Sequence, residues 1–238
     1  MKWVTDRTGR FPKRPHYLRE EIDSECEHVL SELRKSIDGK IAFPVTTDNL
    51  TVLIESRVED LDLFADLSAE EGHVEGVTEF YPGRRPRVRI SEKLTSDPRM
   101  VNRLRTTLTH EFGHVVLHSF LLSENAQPRG LFGETRETHS KKCKRENILG
   151  ASERDWMEWQ AGYACGAFLM PHTELKQLIR SFLEVRHISV GRFATDSEDG
   201  ELLVSAVCHH FSVSRDAARV RLSQMGAVQE SAGVASLF

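Results

Sequence analysis

The sequence predicts an α+β fold built around one ligand-bearing helix. Three observations carry this prediction. Apolar residues recur at helical period near the start and through the second half of the chain. Short β-like runs lie between residues 50 and 90. An H-E-x-x-H pattern, His110-Glu111-Phe112-Gly113-His114, falls inside a strongly helical stretch.

Taken in order, the elements justify themselves as follows. Residues 1–19 hold six Lys or Arg, one acid (Asp6), Pro12 and Pro15. They are expected to form a basic, extended, solvated arm. Leu18, Ile22, Cys26, Val29, Leu30, Leu33 and Ile37 mark a first helix. Leu50–Glu55, Leu61–Ala65, Val74–Phe80 and Arg87–Ile90 look like strands. The last two flank Tyr81-Pro82-Gly83, a turn signal, and should form a hairpin. Val88 and Ile90 alternate with Arg87 and Arg89, which suits an edge strand with one wet face. Asp97 and Pro98 cap a second helix to about Phe120. A polar segment, 123–152, is expected as a long insertion loop. A helix follows from about Ala151 to Met170, halted by Pro171. Further helices are expected at His172–Val185, Glu201–Phe211 and Ser214–Met225. The domain expectation is therefore a 1–19 arm, a 20–185 metal-binding domain and a 200–228 helix-turn-helix-like subdomain.

Composition narrows the function classes. The chain of 238 residues is 39% hydrophobic and 29% charged, so it can fold without staples and is not disordered by composition. Its net charge of −4 argues against wholesale nucleic-acid binding. The longest apolar stretch, Val115 to Leu122, is broken by His118 and Ser119 and falls short of the ~20 residues that span a bilayer. The N-terminus has no apolar signal region. Cys26, Cys143, Cys165 and Cys208 are scattered without C-x-x-C spacing, so they are expected as reduced thiols of a cytoplasmic protein.

The H-E-x-x-H spacing has a physical reason. Residues four apart on a helix share one face, so His110 and His114 can reach one metal ion at ~2.0–2.1 Å each. Glu111 lies about 100° round the helix. A carboxylate there sits beside the metal, where it can take a proton from water that the metal has acidified. His118 continues the series but has rotated about 80° from His110, so it is expected to orient a ligand or satisfy a buried group. The longer metzincin pattern fails, because Leu117 and Phe120 stand where Gly and His are required. The third ligand should be a later carboxylate. Glu124, Glu134, Glu137, Glu146, Glu153, Asp155, Glu158 and Glu174 are candidates. Glu158 is preferred, since it lies in an apolar helix, Trp156-Met157-Glu158-Trp159, where an unpaired carboxylate is costly and a stiff ligand is useful.

His110-Glu111-Phe112-Gly113-His114-Val115-Val116-Leu117-His118 resembles the H-E-[LF]-G-H-x-x-L-H signature of ImmA/IrrE-type metallopeptidases. The stretch from Glu158 to Pro171 resembles that family's second signature, E-x-x-A-N-x-F-A-x-x-L-L-M-P, with Gly162 in place of Asn. The spacer between the two is longer than the pattern leads one to expect. The resemblance covers roughly residues 50–171. It implies a zincin-like metallopeptidase domain with a small sheet beside the ligand helices. It also implies His110, His114 and Glu158 as zinc ligands and Glu111 as catalytic acid/base. The implied substrates are helix-turn-helix repressors of mobile elements or stress regulons.

Two weaker signals remain. Cys143 sits in Ser140-Lys141-Lys142-Cys143-Lys144-Arg145, where flanking cations favour thiolate. A thiolate there would be a latent fourth metal ligand. The C-terminal helix-turn-helix pattern carries only Arg215, Arg219 and Arg221 against Glu201 and Asp216, little charge for holding phosphate. The expected protein is a zinc metalloendopeptidase, with manganese as the alternative metal. Its substrate is expected to pair with an edge strand such as Arg87–Ser91. The alternative is a DNA-binding regulator with a sensing or structural metal site.

Overall fold

The computed structural model describes residues 1–36, 42–70, 73–81, 83–124, 139–144, 155–189 and 192–229. The chain forms two compact units, Met1–Leu169 and Met170–Phe238. The architecture is mixed α+β, mostly helical with small sheets.

The first unit opens with a hairpin. Strand β1 (Lys2–Thr5) pairs antiparallel with β2 (Lys13–His16). Asp6 ties the turn: it accepts hydrogen bonds from the Thr8 and Phe11 backbone N–H groups at 2.9 and 3.1 Å and from the Thr8 hydroxyl. Trp3 stands edge-on to Phe120, and Phe11 to Trp156. The segment is extended and most of its residues are exposed, as expected, but its aromatic side chains also dock it on the rest of the unit. Its charge count conceals two aromatic side chains that cover apolar surface.

Helix α1 (Arg19–Ser36) buries Ile22, Cys26, Val29 and Leu33. Helix α2 (Thr47–Glu55) replaces the expected strand. Thr46 caps it by accepting from the Asn49 N–H at 3.2 Å, and its buried residues, Leu50, Leu53 and Ile54, follow the i, i+3, i+4 pattern. A six-residue run with four apolar residues does not distinguish helix from strand until its cap is weighed.

A four-stranded sheet follows, from β3 (Asp60–Ala65), β4 (Val74–Phe80), β5 (Arg87–Ser91) and β6 (His139–Lys144), in the order β3-β5-β4-β6. β4 and β5 form the expected antiparallel hairpin. β5 is not an edge, however. β3 lies parallel on its other side. The half-wet alternation of Arg87 and Arg89 reports one exposed face, which is a different property from an exposed backbone edge. Strand addition to residues 87–91 is therefore excluded, since both edges are taken. β6 falls inside the expected loop. Its sequence, HSKKCK, has no apolar alternation to announce it, and its pairing with β4 supplies the order.

Helix α3 (Glu92–Thr95) and a 3₁₀ turn (Pro98–Met100) lead into α4 (Val101–Glu124). Asp97 caps this turn as expected, accepting from the Arg99 N–H at 3.0 Å. Helix α5 (Trp156–Leu169) is apolar nearly all round, because α1 and α4 both pack on it. Residues 151–154, expected in this helix, lie outside the described residues.

The second unit contains α6 (His172–Val185), β7 (Phe193–Ala194), α7 (Glu198–Phe211), α8 (Arg215–Gln224) and β8 (Val228–Gln229). Ser197 and Ser214 cap α7 and α8. Leu203, Val204, Val207, Phe211 and Leu222 form the buried seam. Arg215 and Arg219 both pair with Glu201, and Arg221 is buried, donating to the Met170 carbonyl at 3.1 Å.

Cys26, Cys165 and Cys208 are free thiols. Among the described residues, no helix is long and apolar enough to cross a membrane.

Candidate metal centre

Helix α4 has two buried faces. Leu104, Leu108, Phe112 and Val115 recur every three or four residues and make one of them. His110, His114 and His118 recur every four and make the other, and all three are buried. The helices α4 and α5 approach closely at Gly113. A Cβ there would meet the Ala161 Cα and carbonyl oxygen at 3.0 Å. That closeness explains a glycine in mid-helix, a residue that costs about 1 kcal/mol relative to alanine. It also brings Glu158 of α5 against the histidines.

His110, His114 and Glu158 form a buried group in which one ligand atom from each lies within 4.8 Å of the others. His110 Nε2 is 3.2 Å from Glu158 Oε2, and His114 Nε2 is 3.4 Å from Glu158 Oε1. Ligands ~2.0–2.1 Å from a tetrahedral metal stand ~3.3 Å apart, so these separations suit one shared ion. The donor types agree: two imidazoles and a carboxylate suit zinc, and three protein donors leave a fourth position open.

Protonation favours the same use. Burial pushes the His110 imidazole down, toward its neutral form. Burial alone would push the Glu158 carboxyl up, but the adjacent His114 and His110 overcome this and hold it ionised. Neutral imidazole and ionised carboxylate are the forms that bind metal.

Glu111 is fully buried one residue along. The Thr78 hydroxyl of β4 donates to its Oε2. Gly76, also on β4, lies directly against it. A Cβ at Gly76 would stand 2.6 Å from Glu111 Oε1. The sheet thus positions this carboxylate.

His118 joins the site through His114: the two Nδ1 atoms are 3.0 Å apart. Its Nε2 is 3.0 Å from Gln160 Oε1, and the Gln160 amide donates to the Pro15 carbonyl at 3.1 Å. Trp156 stands edge-on to the His118 ring.

Of the other candidates, Asp155 pairs with Arg10 and Glu174 with His210 of the second unit. Glu134, Glu137, Glu146 and Glu153, and the side chains of Glu124 and Cys143, lie outside the described residues. The backbone of Cys143 is placed, opposite Gly76. Four contributors escaped sequence reasoning: Gly76, Thr78, Gln160 and Pro15. Gly76 had a signal, since a glycine inside a strand pattern marks close approach. Gln160 had a weaker one, an amide amid apolar residues that needs partners. Thr78 and Pro15 had none.

No protein-family model matches the chain, and no curated protein matches it.

Proposed function

We propose that the chain is a zinc-dependent metalloendopeptidase of the ImmA/IrrE kind, with a zincin-like first unit. The observation that carries the reading is the buried His110–His114–Glu158 group with Glu111 beside it, held by Thr78. Bound zinc would acidify water and polarise the scissile carbonyl. The chain's own residues do the rest. His110, His114 and Glu158 would hold the ion. Glu111 takes a proton as general base and returns it to the departing amine nitrogen as general acid. Thr78 keeps that carboxylate in one orientation between the two transfers.

The substrate reading, a helix-turn-helix repressor in the cytoplasm, rests on the resemblance of the two signatures. The DNA-binding alternative is weakened by the second unit. Arg215 and Arg219 are engaged by Glu201, and Arg221 is buried, so few cations are left on these helices for phosphate.

The test is metal analysis and cleavage together. Purified protein should carry one zinc per chain and cleave a co-encoded repressor. Glu111→Gln should keep the zinc and lose cleavage. Full activity in that variant, or wild-type protein that binds no metal, would overturn the proposal.

A further inference from the structure

We infer that His118, Gln160 and the Pro15 carbonyl form a hydrogen-bond chain that fixes the tautomer of His114, which makes the N-terminal hairpin a working part of the metal centre. The inference rests on the metal-binding reading above.

The hydrogen bonds fix one another inward from the hairpin. The Pro15 carbonyl can only accept a hydrogen bond. The Gln160 atom 3.1 Å from it must therefore be the amide nitrogen, since a flipped amide would set two oxygens against each other. Gln160 Oε1 then faces His118 Nε2 at 3.0 Å, and it too can only accept. His118 must carry its proton on Nε2. In the neutral ring its Nδ1 is then a bare acceptor. His114 Nδ1, 3.0 Å away, must donate to it. In the neutral ring of His114, Nε2 is then the nitrogen left to bind metal. It is this atom that faces Glu158 Oε1 at 3.4 Å, inside the proposed ligand group.

Each member is buried, so water cannot readily substitute for a missing partner: His114, His118 and Gln160 are each at most 1% exposed. The chain also explains why a glutamine lies fully buried in an otherwise apolar helix. The two ligand imidazoles differ in this respect. His110 Nδ1 has no hydrogen-bond partner among the described residues, so this second layer of support belongs to His114. His118 and Gln160 are positioning residues: they act on the metal through His114.

The decisive measurement is a long-range ¹H–¹⁵N spectrum of the zinc-free full-length protein with labelled histidines. Signals are assigned by their loss in His114→Gln and His118→Gln. The expected result is His114 protonated on Nδ1 and His118 on Nε2. A bare Nδ1 on His114, or a proton on Nδ1 of His118, would overturn the inference, and this readout needs no substrate. Zinc affinity by chelator competition supplies the second arm. His118→Phe and Gln160→Leu should weaken zinc about 10- to 100-fold. Gln160→Met, which keeps the volume but loses both hydrogen bonds, should weaken zinc as much as Gln160→Leu. Wild-type zinc affinity in Gln160→Met would reduce Gln160 to a packing residue and overturn its role. Correct tautomers in a wild-type protein that takes up no zinc would sink the metal reading and leave the hydrogen-bond chain standing.

Discussion

Gly76→Ala separates positioning of the proton shuttle from binding of the metal. Gly76 has no positive φ, so its backbone accepts alanine. The space does not. The added methyl would lie 2.6 Å from Glu111 Oε1, 2.8 Å from Glu111 Cγ and 2.9 Å from Thr107 Cγ2. Ordinary contacts between heavy atoms need ~3.5 Å or more, so the deficit at the carboxylate approaches an ångström. Thr107 is fully buried on α4, one turn before Glu111, and cannot swing away. Either β4 lifts from α4, or the carboxylate turns off its position. A misplacement of ~1 Å at a reacting group can cost about 100-fold in rate, or about 2.7 kcal/mol of barrier.

The cleavage rate constant should therefore fall about 100-fold. Overpacking should also cost about 1–3 kcal/mol of stability, partly offset by the lower entropy of the unfolded alanine chain. Zinc affinity should change only a few-fold, because the three atoms nearest the new methyl belong to Glu111 and Thr107 and not to a ligand. The assay pairs repressor cleavage with metal content and thermal melting of the same sample. Wild-type cleavage by a folded, zinc-loaded Gly76→Ala protein would refute the placement of Glu111. Loss of cleavage strictly in proportion to loss of zinc would refute the separation of roles.

Three further outcomes are expected. Glu158→Gln should lower zinc content in dialysed protein and abolish cleavage together, while Glu153→Gln and Glu174→Gln do neither; full zinc occupancy without Glu158 would remove it from the ligand set. Asp6→Ala should cost about 1–2 kcal/mol, because three hydrogen bonds that close the hairpin turn lose their acceptor. Burial raises the Asp6 carboxyl, but the Thr8 and Phe11 donors and Arg10 more than compensate, so its folded value lies below the ordinary 3.8. Its stabilisation is thus present above about pH 4 and lost as pH falls through the folded value, and the gap between wild type and Asp6→Ala in urea unfolding should close at low pH. Cys143→Ser should raise basal cleavage, and thiol-modifying reagents should mimic it, if the thiolate caps the metal; unchanged basal activity would leave Cys143 an ordinary residue of β6.

What was legible in the sequence follows from the range of each interaction. The histidine pair is a local fact, four residues on one helix, and spacing alone displays it. Glu158 is 48 residues away, yet it betrays itself by chemistry, because a carboxylate between two tryptophans needs a cation. The partners that refine the site have neither advantage. Thr78 reaches Glu111 across 33 residues and Pro15 reaches Gln160 across 145, and both act through atoms that any strand or arm supplies. The errors have the same origin. Residues 50–55 pack as a helix because Thr46 caps them, and β5 is interior because β3, an otherwise ordinary strand, pairs beside it. Periodicity reports which face of an element is buried. It does not report which neighbour buries it.

The same geometry bears on whether a metal here would serve structure or chemistry. A structural zinc site is closed by four protein ligands. The described residues bring three together, and the next carboxylate, Glu111, is turned to the Thr78 hydroxyl of the sheet. For stability alone Glu111 is a poor choice. A buried carboxylate costs more than an apolar side chain of the same volume unless it is fully paired. The fold nevertheless gives it a dedicated hydroxyl and clears its path with a glycine that forgoes a side chain in mid-strand. Buried ionisable groups kept at such expense beside metal donors are candidates for proton transfer. The burial of Glu111, which at first sight favours a sealed structural site, therefore supports its assignment as acid and base.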